Sequence, residues 1–73
     1  MRLAYNCENN HYGILNNANS WERKGLHSGE WVEVYHNGKW ITDRMELKFP
    51  KTWYLLETKL SGNRLEGLEV RIK

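Results

Sequence analysis

The apolar positions of this chain come in short bursts, not in the three-to-four-residue rhythm of an amphipathic helix. Leu3-Ala4-Tyr5 and Tyr12-Gly13-Ile14-Leu15 are the first two bursts. Between them, Asn6-Cys7-Glu8-Asn9-Asn10-His11 is turn chemistry, so residues 1–15 predict a loose β-hairpin. Glu30-Trp31-Val32-Glu33-Val34-Tyr35 alternates with a period of two and is rich in β-branched and aromatic residues, which predicts a strand. Asn37-Gly38 follows it. A type I′ turn needs positive φ at both central residues, and Asn then Gly tolerates that best. Lys39-Trp40-Ile41-Thr42 begins the return strand, which is expected to run on to Leu47.

A two-residue loop sets the register of this hairpin. It places Tyr35 opposite Trp40, Val34 opposite Ile41, Glu33 opposite Thr42, Val32 opposite Asp43 and Trp31 opposite Arg44. One face then holds Val32, Val34, Ile41 and Met45, with Asp43 as its odd member. The other holds Trp31, Glu33, Tyr35, Trp40, Thr42, Arg44 and Glu46. The first is the expected core face, and the second mixes three aromatic rings with charges.

The remaining segments are shorter. Residues 16–29 are polar and irregular, with Trp21 and Leu26 as their large apolar groups. They predict a loop that tucks both side chains into the core, or a single helical turn over Trp21-Glu22-Arg23-Lys24 capped by Ser20. Pro50 interrupts any strand through it. Trp53-Tyr54-Leu55-Leu56 predicts a short strand, and Ser61-Gly62-Asn63 a turn. Leu65, Leu68, Val70 and Ile72 predict a last strand, bent at Gly67, with Glu69, Arg71 and Lys73 facing solvent. Five or six short strands with Gly- and Asn-rich turns predict a mostly β protein. A small antiparallel SH3-like barrel is the expected architecture, with an open meander as the alternative.

Length and composition narrow the picture. Seventy-three residues make one domain, residues 1–73, with a limited core. A single cysteine, Cys7, excludes an intrachain disulfide. Stability must therefore come from packing, and four Trp and four Tyr supply the means, each able to bury roughly 150–250 Å². Eleven basic and nine acidic residues are interspersed, for a net charge of +2, which is unlike a dedicated duplex-DNA binder. No apolar run approaches the roughly 20 residues that span a bilayer. The N-terminal residues lack the apolar stretch of a signal peptide. With a free cysteine, this leads us to expect a cytoplasmic protein without membrane contact.

Two resemblances add to this reading. Ser28-Gly29-Glu30-Trp31-Val32-Glu33-Val34, then Gly38-Lys39-Trp40 and Trp53-Tyr54-Leu55, resembles the opening of Tudor-type and Agenet-type SH3-like barrels. Gly25-Leu26-His27-Ser28-Gly29-Glu30, Glu33-Val34, Asn37-Gly38-Lys39-Trp40, Arg44-Met45-Glu46, Trp53-Tyr54-Leu55 and Leu65-Glu66-Gly67-Leu68-Glu69-Val70-Arg71-Ile72 resemble a family of short uncharacterised proteins. These come from Gram-positive bacteria, their phages and conjugative elements. The resemblance implies a small stand-alone domain without an assigned enzyme activity. The N-terminal stretch and residues 16–24 fit it less well. A mobile-element context implies, as one possibility, an inhibitor of host defence such as an anti-CRISPR protein.

The candidate chemistry centres on Trp31, Tyr35, Trp40 and Arg44. Trp, Tyr and Arg dominate binding hot spots because they bury much area with few rotors. The competing reading is that the N-terminal hairpin or the loop carrying Trp21 covers this face. The aggregation risk of three bare aromatics favours that covered arrangement. Cys7 and His11 have a C-x₃-H spacing, with His27 and His36 elsewhere. Zinc needs four ligands, and two at this spacing do not assign a site. A Cys7 nucleophile with His11 or His27 lacks an orienting third group. Lys48, Lys51 and Lys59 form a loosely basic segment that reads as a solvated face. The expected function is thus a non-enzymatic binding module, monomer or homodimer, without cofactor. It would occupy a protein or nucleoprotein partner through Trp31, Tyr35, Trp40 and Arg44. The alternatives are a single-stranded nucleic-acid-binding barrel and a metal-stapled structural domain.

Overall fold

Strands form at each apolar burst, and at one polar stretch besides, in the computed structural model, which describes residues 1–72. They are β1 (Arg2–Asn6), β2 (His11–Leu15), β3 (Trp21–Arg23), β4 (Trp31–His36), β5 (Lys39–Lys48), β6 (Thr52–Leu55) and β7 (Val70–Arg71). A 3₁₀ turn, Gly62–Leu65, precedes β7. The strands make two antiparallel sheets, ordered β1-β2-β3 and β6-β5-β4-β7. The protein is therefore mostly β, as its alternation requires.

The central hairpin has the register its turn dictates. Asn37 and Gly38 take φ of 52° and 82°. Trp31 lies opposite Arg44, Glu33 opposite Thr42 and Tyr35 opposite Trp40. The N-terminal hairpin also forms, pairing Leu3 with Ile14 and Tyr5 with Tyr12. The core fills the space between the two sheets. Leu3, Ile14, Leu26, Val32, Val34, Met45, Leu55, Leu65 and Val70 are buried there.

The architecture departs from the expected barrel. Seven strands form where five or six were expected, and the described residues show no closed ring of strands. The sheets are instead stitched along one edge. Leu3 donates its N–H to Leu68 O at 2.9 Å, Gly67 to Leu3 O at 2.8 Å, and Val70 to Met1 O at 2.9 Å. That seam shortens the last strand. The chain around Gly67, at φ 81°, bends to meet β1, leaving only Val70–Arg71 to pair with β4. Ile72, assigned to the core face by alternation, is half exposed. Lys73, placed with Glu69 and Arg71 on the solvent face, lies outside the described residues.

Residues 16–29 also differ from expectation. Trp21-Glu22-Arg23 is a third strand on β2, not a loop or a helical turn. Leu26 enters the core, but Trp21 does not. Its ring lies over Gly13 instead, and a Cβ at Gly13 would sit 2.7 Å from it and 2.8 Å from the Lys24 carbonyl. The absence of a side chain at residue 13 is what lets β3 and the indole approach β2 so closely.

A charged tie holds the loop after β3. Glu30 accepts the His27 N–H at 2.6 Å and pairs with the Arg23 guanidinium. Burial works against the Glu30 carboxylate, but the His27 N–H and Arg23 outweigh it and hold its pKa below the usual value. The unfolded chain then binds this proton more readily than the folded one. The stabilisation is accordingly present at neutral pH and is lost as pH falls through the carboxylate range. In urea titrations over a pH series, Glu30→Gln should be less stable than wild type at pH 7. The gap should narrow as the pH is lowered toward 3. A gap independent of pH would contradict the tie.

Candidate functional site

The face of β4 and β5 turned away from the core carries Trp31, Glu33 and Tyr35 on one strand and Trp40, Thr42 and Arg44 on the other. Two-residue alternation puts them there, because Val32, Val34, Asp43 and Met45 point inward and are buried. Neither the N-terminal hairpin nor Trp21 covers this face. The β1-β2-β3 sheet packs on the opposite, aliphatic side, so the covered arrangement favoured by composition does not arise. Trp31 is 52 % exposed and Tyr35 42 % exposed.

The rings are held, not loose. Tyr35 meets Trp40 edge-on, with centroids 5.3 Å apart and planes at 64°. The Arg71 guanidinium lies over the Trp40 ring, 4.1 Å from its centroid. Arg71 Nε also donates to Glu33 Oε1 at 2.8 Å, which fixes the guanidinium plane. At the other end, Arg44 lies 5.5 Å from the Trp31 centroid and pairs with Glu46. Glu46 in turn accepts the Ser28 hydroxyl at 3.0 Å. The result is a stripe of two cation–aromatic pairs with both carboxylates already engaged. All four residues expected to bind, Trp31, Tyr35, Trp40 and Arg44, share this stripe.

Arg71 is the member the sequence concealed. It is far along the chain and reaches the stripe because β7 pairs with β4, placing Arg71 opposite Glu33. The alternation of Leu68, Val70 and Ile72 puts Arg71 on an outward face, but not beside Trp40. Arg44 pairs with Glu46, and Arg71 takes Glu33.

The other candidate constellation is differently disposed. Cys7 is exposed on the β1–β2 turn. His11 donates from Nδ1 to the Leu26 carbonyl at 2.8 Å and lies against Trp53, with ring centroids 4.9 Å apart. Its ring is 5.4 Å from that of His27. Among the described residues, no group of three or more His, Cys, Asp or Glu side chains is placed to hold a metal ion.

The profile of a domain of unknown function, DUF5348, matches residues 1–72. The chain belongs to that family. The match takes in the N-terminal hairpin and β3, the stretches that fit the resemblance to short uncharacterised proteins less well. In the DUF5348 fold as this chain displays it, β1 and β2 contribute Leu3, Tyr12 and Ile14 to the core shared with the central hairpin, and β3 flanks them by pairing with β2. No similar curated protein and no similar solved structure was found. Among the described residues, no helix is long and apolar enough to cross a membrane.

Proposed function

We propose that this domain is a non-enzymatic binding module that docks a protein or nucleoprotein partner on the Trp31–Tyr35–Trp40–Arg44 stripe. The observation that carries the proposal is the half exposure of Trp31 and Tyr35 on a hairpin whose other face is locked into the core. Rings held by Arg44 and Arg71 lose little freedom on binding, so their burial goes largely into affinity. Arg71 joins the docking set through its stacking on Trp40. The resemblance of the hairpin to Tudor-type and Agenet-type barrels fits this use, with the two stitched sheets read as an opened SH3-like barrel. The resemblance to short phage and conjugative-element proteins makes a cytoplasmic host-defence complex the first partner class to try.

The test compares wild type with Trp31→Ala/Tyr35→Ala. Both residues are at the surface, so the double variant should melt within a few degrees of wild type. A partner captured by wild type and then purified should bind the double variant at least about tenfold more weakly, a loss of about 1.4 kcal/mol. A homodimer formed through the stripe would show in sedimentation as a dimer that the variant loses. A partner bound equally by both proteins would remove the stripe from the docking site.

A further inference from the structure

A second feature lies where β5 and β6 meet. Their turn, Lys48-Phe49-Pro50-Lys51, leaves Phe49 91 % exposed. Beside it a groove of about 470 Å³ is lined by Lys48, Thr52, Tyr54, Lys59 and Ser61. The lining contains two ammonium groups, a phenol ring and two hydroxyls, and no carboxylate. The wall is built by pairing: Lys48 lies opposite Thr52, and Tyr54 bridges to Ser61. Lys59 is held there with φ 64° by a turn whose N–H bonds to Leu55 O at 3.1 Å. Glu46, directly across from Tyr54, is already paired with Arg44.

A solvated lysine segment does not need an exposed phenylalanine at its apex. Positive charge alone would attract any anion, whereas rings beside ammonium groups suit a chain that carries both phosphates and flat bases. Base–aromatic stacking tolerates any base, and lysines follow the backbone without reading it. The hydroxyls of Thr52 and Ser61 add donors for phosphate oxygens.

We propose that the β5–β6 end of the domain binds single-stranded nucleic acid, with phosphate in the Lys48–Lys59 groove and bases stacked on Phe49 and Tyr54. This goes beyond the docking reading and stands on different residues. If the partner is a nucleoprotein, the stripe would take its protein part and this end its strand.

The test is fluorescence anisotropy of a labelled twelve-residue oligothymidine and of a labelled polyglutamate of equal length, titrated with the full chain at several salt concentrations. The oligonucleotide should bind, and its affinity should fall steeply with salt. Lys48→Gln/Lys59→Gln should weaken binding about tenfold or more and flatten the salt dependence by roughly one to two phosphate contacts. Phe49→Ser should weaken binding at least about fivefold without changing the salt slope. Trp31→Ala/Tyr35→Ala should leave the affinity within about twofold, which separates this site from the stripe. Absence of salt-sensitive binding by wild type would overturn the proposal. So would polyglutamate binding as tightly as the oligonucleotide, or equal losses in the stripe and groove variants.

Discussion

Replacing Asp43 by Ala is expected to destabilise the domain by about 3–5 kcal/mol, a large share of what a domain of this size has. Asp43 is completely buried on the aliphatic face of β5. Its Oδ1 accepts the N–H groups of Arg44 at 2.8 Å and Glu57 at 2.7 Å, and its Oδ2 accepts that of Thr58 at 3.0 Å. These bonds serve in place of water for both the carboxylate and the turn that follows β6. Hydrogen bonds to a charged group contribute about 1.5–3 kcal/mol each, and an orphaned buried donor costs about 1–3 kcal/mol. The three losses share one site and do not simply add. A domain of this size has only about 4–11 kcal/mol in total, taking 0.05–0.15 kcal/mol per residue. Asp43→Asn keeps one acceptor oxygen and turns an amide NH₂ toward one or more of the same donors, so it should fall between wild type and Ala. Urea unfolding with a shared slope measures the effect. Hydrogen exchange should locate it, with the Glu57 and Thr58 amides losing protection first. A variant within about 1 kcal/mol of wild type would show that the turn is held by other means. The same turn presents Lys59, so oligonucleotide binding should weaken in any Asp43 variant that still folds.

Trp53→Ala is expected to cost about 3–5 kcal/mol, the usual range for removing a buried Trp or Phe. Trp53 is 6 % exposed and joins the two sheets. Its Nε1–H donates to the Asn10 carbonyl at 2.9 Å, on the β1–β2 turn. Its ring packs against His11, which itself holds the Leu26 carbonyl. Removing the indole therefore opens a cavity at the core and frees the N-terminal hairpin from the β5–β6 hairpin. Trp53→Phe retains much of the apolar volume and loses the hydrogen bond, so about 1–2 kcal/mol is expected. Near-equal stability of the Phe and Ala variants would assign the whole effect to the hydrogen bond and contradict the packing argument. Tyr12 makes a comparable tie, donating its hydroxyl to Gly62 O at 2.9 Å, and burial keeps its pKa above the usual phenol value.

The candidate site was legible in the sequence to the extent that it lies within one hairpin. Asn37-Gly38 permits one register, and that register alone puts Trp31, Tyr35, Trp40 and Arg44 on a common face. The groove at Lys48 and Lys59 was not legible as a site. Its two lysines are brought together by the turn that Asp43 grips, and nothing in the local pattern of residues 56–60 announces that turn. Asp43 itself stood out as a polar residue in an aliphatic row. Its partners, the backbone N–H groups of Arg44, Glu57 and Thr58, carry no side-chain signature.

What the sequence by itself determined about this protein is its strand-forming character, its central hairpin and the division of that hairpin into an aliphatic and an aromatic face. These follow from period-two alternation and from the φ requirements of a two-residue turn, both local properties. Only the tertiary structure decided which aromatics stay outside. Gly13 lets β3 approach β2 with Trp21 over it, the N-terminal sheet packs on the aliphatic face, and the seam along Leu3 and Gly67 delivers Arg71 to Trp40. Each depends on pairing between segments far apart in the chain. Such pairing is settled by which backbone edges can satisfy one another around a shared core, and residue type records that only faintly.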